Sequence, residues 1–213
     1  GIIKRYIYAL ISEIYMSYKN MILYTASIIK KLGKTLLLLV ITYRFSDLLL
    51  GPMAMPFYRE TGFTKEEVAI ITNAFGIIVT MTGAFLGGLL IYRYSIMKTV
   101  LVGALLVAIT NLFFAGLGVI GHNIAFLTLT ISVDNLSQGL AGTALIAYLS
   151  SLTNQNFTAT QYALLFSLAV IPGKLLASSS GFIVDSFGYF NFFIFASLMG
   201  IPAIYLALKL QRS

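Results

Sequence analysis

Residues 35–58, TLLLLVITYRFSDLLLGPMAMPFY, form an apolar run of membrane-crossing length that carries an arginine and an aspartate three positions apart, Arg44 and Asp47. A spanning helix needs about 20 mostly apolar residues, and a charge inside one is costly enough that it usually marks a function. The run therefore predicts a membrane helix with chemistry built into it.

The same reading extends outward. Further apolar runs of spanning length lie at roughly 67–91, 97–119, 123–151, 159–182 and 189–209, which with the first gives six predicted spans. A chain of 213 residues that is 59% hydrophobic and 10% charged cannot furnish the surface of a soluble domain. The runs are too long and too continuously apolar for the alternating strands of a membrane barrel. The fold class is all-α, a polytopic membrane protein with six transmembrane helices in residues 34–213.

The formal charge of +7 follows topology rather than forming a nucleic-acid patch interleaved with stacking aromatics. Lys4, Arg5, Lys19, Lys30, Lys31 and Lys34 precede the first span, Arg93 and Lys98 separate the second and third, and Lys209 and Arg212 follow the last. Arg59 and Lys65 are offset by Glu60, Glu66 and Glu67. The positive-inside rule then puts both termini in the cytoplasm and the loops near 59–66, 120–122 and 183–188 outside; the uncharged loop near 152–158 has no vote.

Residues 1–33 differ. Ile3, Ile7, Leu10, Ile14, Tyr18 and Met21 recur at helical spacing beside Arg5, Ser12 and Lys19, which suits a basic amphipathic helix on the cytoplasmic membrane surface. The competing reading is a seventh, poorly apolar span. No secretory signal pattern is present, and the chain opens on Gly, as a piece of something longer would.

Chemistry of other kinds has little support. With no cysteine there is no disulfide framework or thiolate metal site, and His122 reads as a loop histidine more readily than as a proton relay. No nucleophile elbow, metal-spaced His and Glu set or phosphate-cradling loop occurs, and Ser178, Ser179 and Ser180 have no histidine to activate them, so no enzyme, metal or cofactor is expected. Thr64 and Glu67 have the spacing of a capping box at the start of the second span. Small residues at four-residue intervals, Gly76, Thr80, Ala84 and Gly88, then Gly139, Thr143 and Ala147, then Gly173, Ala177 and Gly181, predict close helix packing. Pro52, Pro56, Pro172 and Pro202 are expected to bend or break their spans.

The intramembrane polar residues are the candidate site: Tyr43, Arg44 and Asp47, Asn73, Asp134, Asn135 and Gln138, and Lys174. Tyr43 with Asp47 and Asp134 with Gln138 are one helical turn apart and share a face. Asp47 reads either as a coupling or substrate group or as a structural partner of Arg44 or Lys174; Lys174 and Asp134 carry the same two readings. Asn73, Asn135 and Gln138 either bind a polar substrate or bridge helices, and Arg44 either joins the site or snorkels to the cytoplasmic interface.

Several stretches resemble one family. Tyr43-Arg44-Phe45-Ser46-Asp47, Gly62-Phe63 before Glu66-Glu67-Val68, and Gly87-Gly88 are similar to the seventh and eighth helices of the AmpG muropeptide permeases, in a branch of the major facilitator superfamily that includes acetyl-CoA transporters. Asp134-Asn135-Leu136, Gly139 and Gly142-Thr143-Ala144 resemble the tenth helix. The most specific stretch, Phe157-Thr158-Ala159-Thr160-Gln161-Tyr162-Ala163-Leu164-Leu165, resembles the start of the eleventh, and Gly181-Phe182-Ile183-Val184-Asp185 with Gly188 the turn before the twelfth. The resemblance covers about residues 35–209. Arg44 stands where the family has lysine, Asp134 where it has glutamate and Lys174 where it has arginine; charge sign is kept, although Lys and Arg are not equivalent donors.

The resemblance implies one half of a transporter, the carboxyl-terminal one, with residues 1–33 as the cytoplasmic connector and the spans forming two inverted three-helix repeats. It implies a symporter that, with an amino-terminal six-helix half as partner, carries GlcNAc-anhydroMurNAc peptides across the bacterial inner membrane for peptidoglycan recycling, with the proton gradient in place of a cofactor. Asp47, Lys174 and Asp134 are then the coupling and gating candidates, and Tyr43, Asn73, Asn135, Gln138 and Gln161 the substrate-binding ones. A CoA ester or peptide as substrate, and a non-transporting fragment or assembly subunit, are the rival expectations.

Overall fold

The computed structural model describes residues 33–153 and 158–212, together with Tyr15, Met16, Lys19, Asn20 and Leu23. The expected connector over 1–33 therefore falls almost wholly outside the described residues, as does most of the 152–158 loop.

The described chain is helical, with no strand among the described residues. Helix α1 (Gly33–Glu60) turns at Tyr43 and Arg44, α2 (Lys65–Arg93) contains a π-helical turn at Ile71–Phe75, and α3 (Ile96–Ile120) and α4 (Ile124–Ser151) are continuous. They are followed by α5 (Thr158–Ala177), α6 (Ser180–Leu198) and α7 (Ile201–Arg212). Gly188, at φ 76°, breaks α6 internally, where the sequence predicts the last outer loop. Glycine occupies that left-handed position without the cost a side chain would bring.

Five helices among the described residues are long and apolar enough to cross a membrane, the last of them running from Ser180 to Arg212. By length and composition they make the chain a multi-pass membrane protein. The fourth expected span, α4, is not among these five: it is long enough at 28 residues but more polar. Its polar groups turn inward: Thr130 and Ser137 are buried, as suits a bundle-centre helix that shields them from lipid.

The helix starts follow local rules. Thr64 caps α2 by accepting from the Glu67 N–H at 3.2 Å while the Thr64 N–H donates to the Glu67 carboxylate at 2.8 Å, the predicted capping box. Ser95 and Asn123 cap α3 and α4 in the same way with one bond each.

Packing repeats across the bundle. Helix α2 lies on α4 as α5 lies on α1; α3 lies on α4 as α6 lies on α1; and α3 meets α6 and α7. Exchanging the first three spans for the last three maps these main contacts onto one another, whereas the smaller α1–α3, α2–α3 and α4–α5 contacts have no such counterpart. Two apolar cores result. One joins Leu39, Val100, Leu145, Leu149 and Ala207. The other is an aromatic cluster at the opposite end, where the rings of Phe57 and Phe193 stand 4.7 Å apart and Phe114 and Tyr189 close around them. The charges divide in the same sense. Lys34, Arg93, Lys98, Lys209 and Arg212 belong to the first end, whereas at the second Arg59 and Lys65 are outnumbered by Glu60, Glu66, Glu67 and Asp185.

The closest helix approach is between α2 and α4. Gly83 faces the Leu136 backbone and Gly139 the Thr80 and Ala84 backbone, with no room for a Cβ on either, and Gly87 packs on Leu140 and Thr143. The predicted stripe over Gly76, Thr80, Ala84 and Gly88 is thus corrected at its far end: Gly88 has no neighbour within 4 Å of a built Cβ. A four-residue step overshoots the 3.6-residue turn, so the true contact row drifts to 76, 80, 83 and 87.

Candidate functional site: a charged cleft between α1 and α5

Successive residues of a helix point about 100° apart, so the adjacent Tyr43 and Arg44 of α1 meet different neighbours. Tyr43 is buried, and its hydroxyl donates to the Ala141 carbonyl at 3.4 Å, in the core beside α3 and α4. Arg44 and Asp47 instead line an open cleft of about 670 Å³, together with Leu48, Gly51, Pro52 and Met53 of α1, Lys174 and Ala177 of α5, and Ser178 and Gly181 beyond it. Gly173 explains how Lys174 reaches this place. A Cβ there would collide with the Leu48 side chain, so its absence lets α5 close on α1 and sets the next residue at the cleft wall.

Two side chains, one from α1 and one from α4, meet on Asp47. The Arg44 guanidinium pairs with one carboxylate oxygen and the Gln138 amide of α4 donates to the other. Both carboxylate oxygens are thereby held by donors, the arrangement that makes an ionised group tolerable in a low-dielectric site. Side-chain exposure is 14% for Asp47 and 26% for Arg44, so the pair borders the cleft without being fully wetted. Lys174 is exposed and forms no ion pair among the described residues. The cleft thus offers one neutralised acid and base pair and one uncompensated cation.

The remaining predicted residues divide. Asp134 lies one turn before Gln138 on α4 and accepts from the Thr110 hydroxyl at 3.4 Å, outside the cleft lining. Asn135 bridges helices: Thr80 of α2 donates to its carbonyl oxygen at 2.9 Å and its amide donates to the Ile131 carbonyl at 2.8 Å. Asn73 sits in the π-helical turn of α2 and is exposed, away from the cleft lining. Gln161 is buried on α5 at 2% exposure. His122 faces Glu67 at 3.3 Å and stacks near Phe63, joining the α1–α2 and α3–α4 turns at the acidic end of the bundle.

One polar contact was not read from the sequence. The Asn111 amide of α3 donates to the Ser46 hydroxyl of α1 at 3.0 Å and to the Val107 carbonyl at 3.1 Å, and the residue is almost fully buried. The signal was present, because a buried asparagine within a strongly apolar span must find a partner. Asn111→Ala is expected to lower bundle stability by about 1 kcal/mol, measured by reversible unfolding in bicelles, with no change in the cleft charges.

Comparison with known proteins gives the relationship. No family model matches the chain. It is 33% identical over 182 residues to "Putative transporter AmpG 4" of Rickettsia conorii, covering 85% of this chain and 44% of that protein. It is 32% identical over 183 residues to the Rickettsia felis protein of the same name, covering 86% of this chain and 44% of the relative, and 32% identical over 176 residues to an AmpG 1 transporter of Rickettsia prowazekii, covering 83% and 40%. These relatives are named as transporters, not enzymes. The resemblance read from the residues therefore holds: the chain is AmpG-like over most of its own length, and it spans about half the length of the curated relatives it matches.

Proposed function

We propose that this chain is the carboxyl-terminal half of a proton-coupled muropeptide transporter of the bacterial inner membrane, working with an amino-terminal six-helix half and with both termini in the cytoplasm. The observation that carries the reading is the cleft in which Asp47, held by Arg44 and Gln138, faces the unpaired Lys174, in a chain related to AmpG-named transporters. The basic end of the bundle supports the cytoplasmic assignment through the positive-inside rule.

In this mechanism Asp47 takes a proton at its carboxylate, loses its hold on Arg44, and so alters which charges line the cleft; releasing the proton restores the pair. Lys174 attracts the peptide carboxylate of the muropeptide, and Gln138 offers an amide to a sugar or peptide oxygen when Asp47 lets go of it. Asp134 tunes Gln138 from the next turn of α4. Tyr43, Asn135 and Gln161 shape the bundle around the pathway, and Asn73 faces the partner half.

The test is uptake of radiolabelled anhydromuropeptide by importer-deleted bacteria that make this chain alone, or together with an amino-terminal half. Uptake only in the pair is expected; no uptake in either, with membrane insertion verified, overturns the reading. Lys174→Ala in the functional pair is expected to raise KM for the substrate about tenfold or more, the worth of one charge-assisted contact, with a smaller change in the maximal rate. An unchanged KM removes Lys174 from substrate binding. A CoA ester or a free peptide that displaces the label as well as the muropeptide does would move the substrate assignment.

A further inference from the structure

At the basic end of the bundle, α2 stops at Arg93 and α3 begins at Ile96, and a second cavity of about 270 Å³ opens there, lined by Leu90, Tyr94, Lys98, Thr99 and Val102. Its walls are fixed. Ser95 caps α3 by accepting from the Lys98 N–H at 3.2 Å, and the buried Thr99 hydroxyl donates to the Ser95 carbonyl at 2.9 Å. Two cations share one ring: the Arg93 guanidinium lies 5.8 Å and the Lys98 ammonium 5.9 Å from the centre of Tyr94. Neither makes an ion pair among the described residues, and the acidic groups of the described loops lie at the other end. Lys98 lines the cavity and Arg93 reaches the same ring from the adjoining turn, so the site carries two positive charges without an acidic partner and favours an anion.

We infer that this cavity binds the phosphate headgroup of an anionic glycerophospholipid, with Arg93 and Lys98 on the phosphate and the Tyr94 hydroxyl donating to it. The lining decides for a lipid over a free anion. Leu90 and Val102 continue the wall away from the charges, so the site is amphiphilic in the way a headgroup joined to an acyl chain is. It lies on a helix junction apart from the Asp47 cleft and does not depend on the transport reading. Holding the α2–α3 turn at the membrane surface is the role such a lipid would serve.

The experiment is native mass spectrometry of the full purified chain released from nanodiscs of equal phosphatidylglycerol and phosphatidylcholine, scoring retained lipid. Selective retention of phosphatidylglycerol is expected, falling at least about tenfold in R93Q/K98Q, staying close to the parent in K209Q/R212Q, and recovering in R93K/K98R. A monodisperse peak in size-exclusion chromatography verifies that each variant is folded; if R93Q/K98Q does not fold, Y94L and the single variant K98Q carry the same expectation. Retention that is unchanged in the cavity variants, or that falls equally in K209Q/R212Q, overturns the site. Displacement of the lipid by millimolar inorganic phosphate would make the ligand a free anion and overturn the lipid assignment.

Discussion

Asp47→Asn, in this chain paired with an amino-terminal half, is expected to cut proton-driven muropeptide uptake by about a hundredfold or more, the scale on which a positioned proton-transfer group acts, while the protein still inserts. The amide keeps the shape and one of the two acceptor positions but cannot exchange a proton. Counterflow exchange of substrate, which needs no net proton movement, should fall far less, and that contrast separates coupling from binding. A purely structural role for Asp47, which its Arg44 pair by itself favours, makes the opposite forecast: uptake and counterflow fall together, in step with the amount of folded protein. Energetics sharpens the distinction. Removing one partner leaves the other charge uncompensated at a partly dry cleft wall, a cost of about 1–3 kcal/mol, below that of a fully buried pair. Arg44 already has its Nε buried without a partner. Stability should therefore recover in R44Q/D47N whereas coupled uptake should not. Coupled uptake that returns with stability would leave Asp47 only its structural role.

How much of this was legible follows from how far apart the interacting residues are. The Thr64 and Glu67 capping box was readable because both halves lie within one turn. The Arg44 and Asp47 pair was readable for the same reason. The placing of Lys174 in the same cleft as Asp47 depends on α5 closing on α1 through Gly173, and the bond from Gln138 depends on α4; neither leaves a local trace. The shared face of Tyr43 and Asp47 was readable too, since both turn to α4, where Tyr43 reaches Ala141 and Asp47 receives Gln138, residues one turn apart. The polarity of α4 that denies it the composition of a lipid-facing span is the same property that fits it for the bundle centre, where Asn135 receives Thr80.

The largest stability effect is expected not from a charge but from the missing side chains between α2 and α4. Gly139→Leu should leave little folded protein, and Gly83→Leu should do the same, because at each position a Cβ would sit inside the van der Waals envelope of the facing backbone, Thr80 for one and Leu136 for the other. Backbone cannot rotate out of the way as a side-chain end can, so the helices must separate. Thr80 would then be drawn away from Asn135 and Gly87 from Leu140. Overpacking of this kind costs about 1–3 kcal/mol for a methylene in an adaptable core, and more where close backbone approach is itself the source of adhesion in lipid. Gly139→Ala should already be harmful, since the clash is with the first side-chain atom. Gly88→Leu and Gly142→Leu are the controls. Both positions are open around a built Cβ, so each should stay within about 0.5 kcal/mol of the parent, read as the monodisperse fraction after detergent extraction and as resistance to SDS unfolding. Equal loss in all four variants would mean that any leucine on these faces is harmful, and the α2–α4 contact would not be the determinant. Selective loss at Gly83 and Gly139 would tie the fold to that crossing, one residue along α4 from the Gln138 that donates to Asp47.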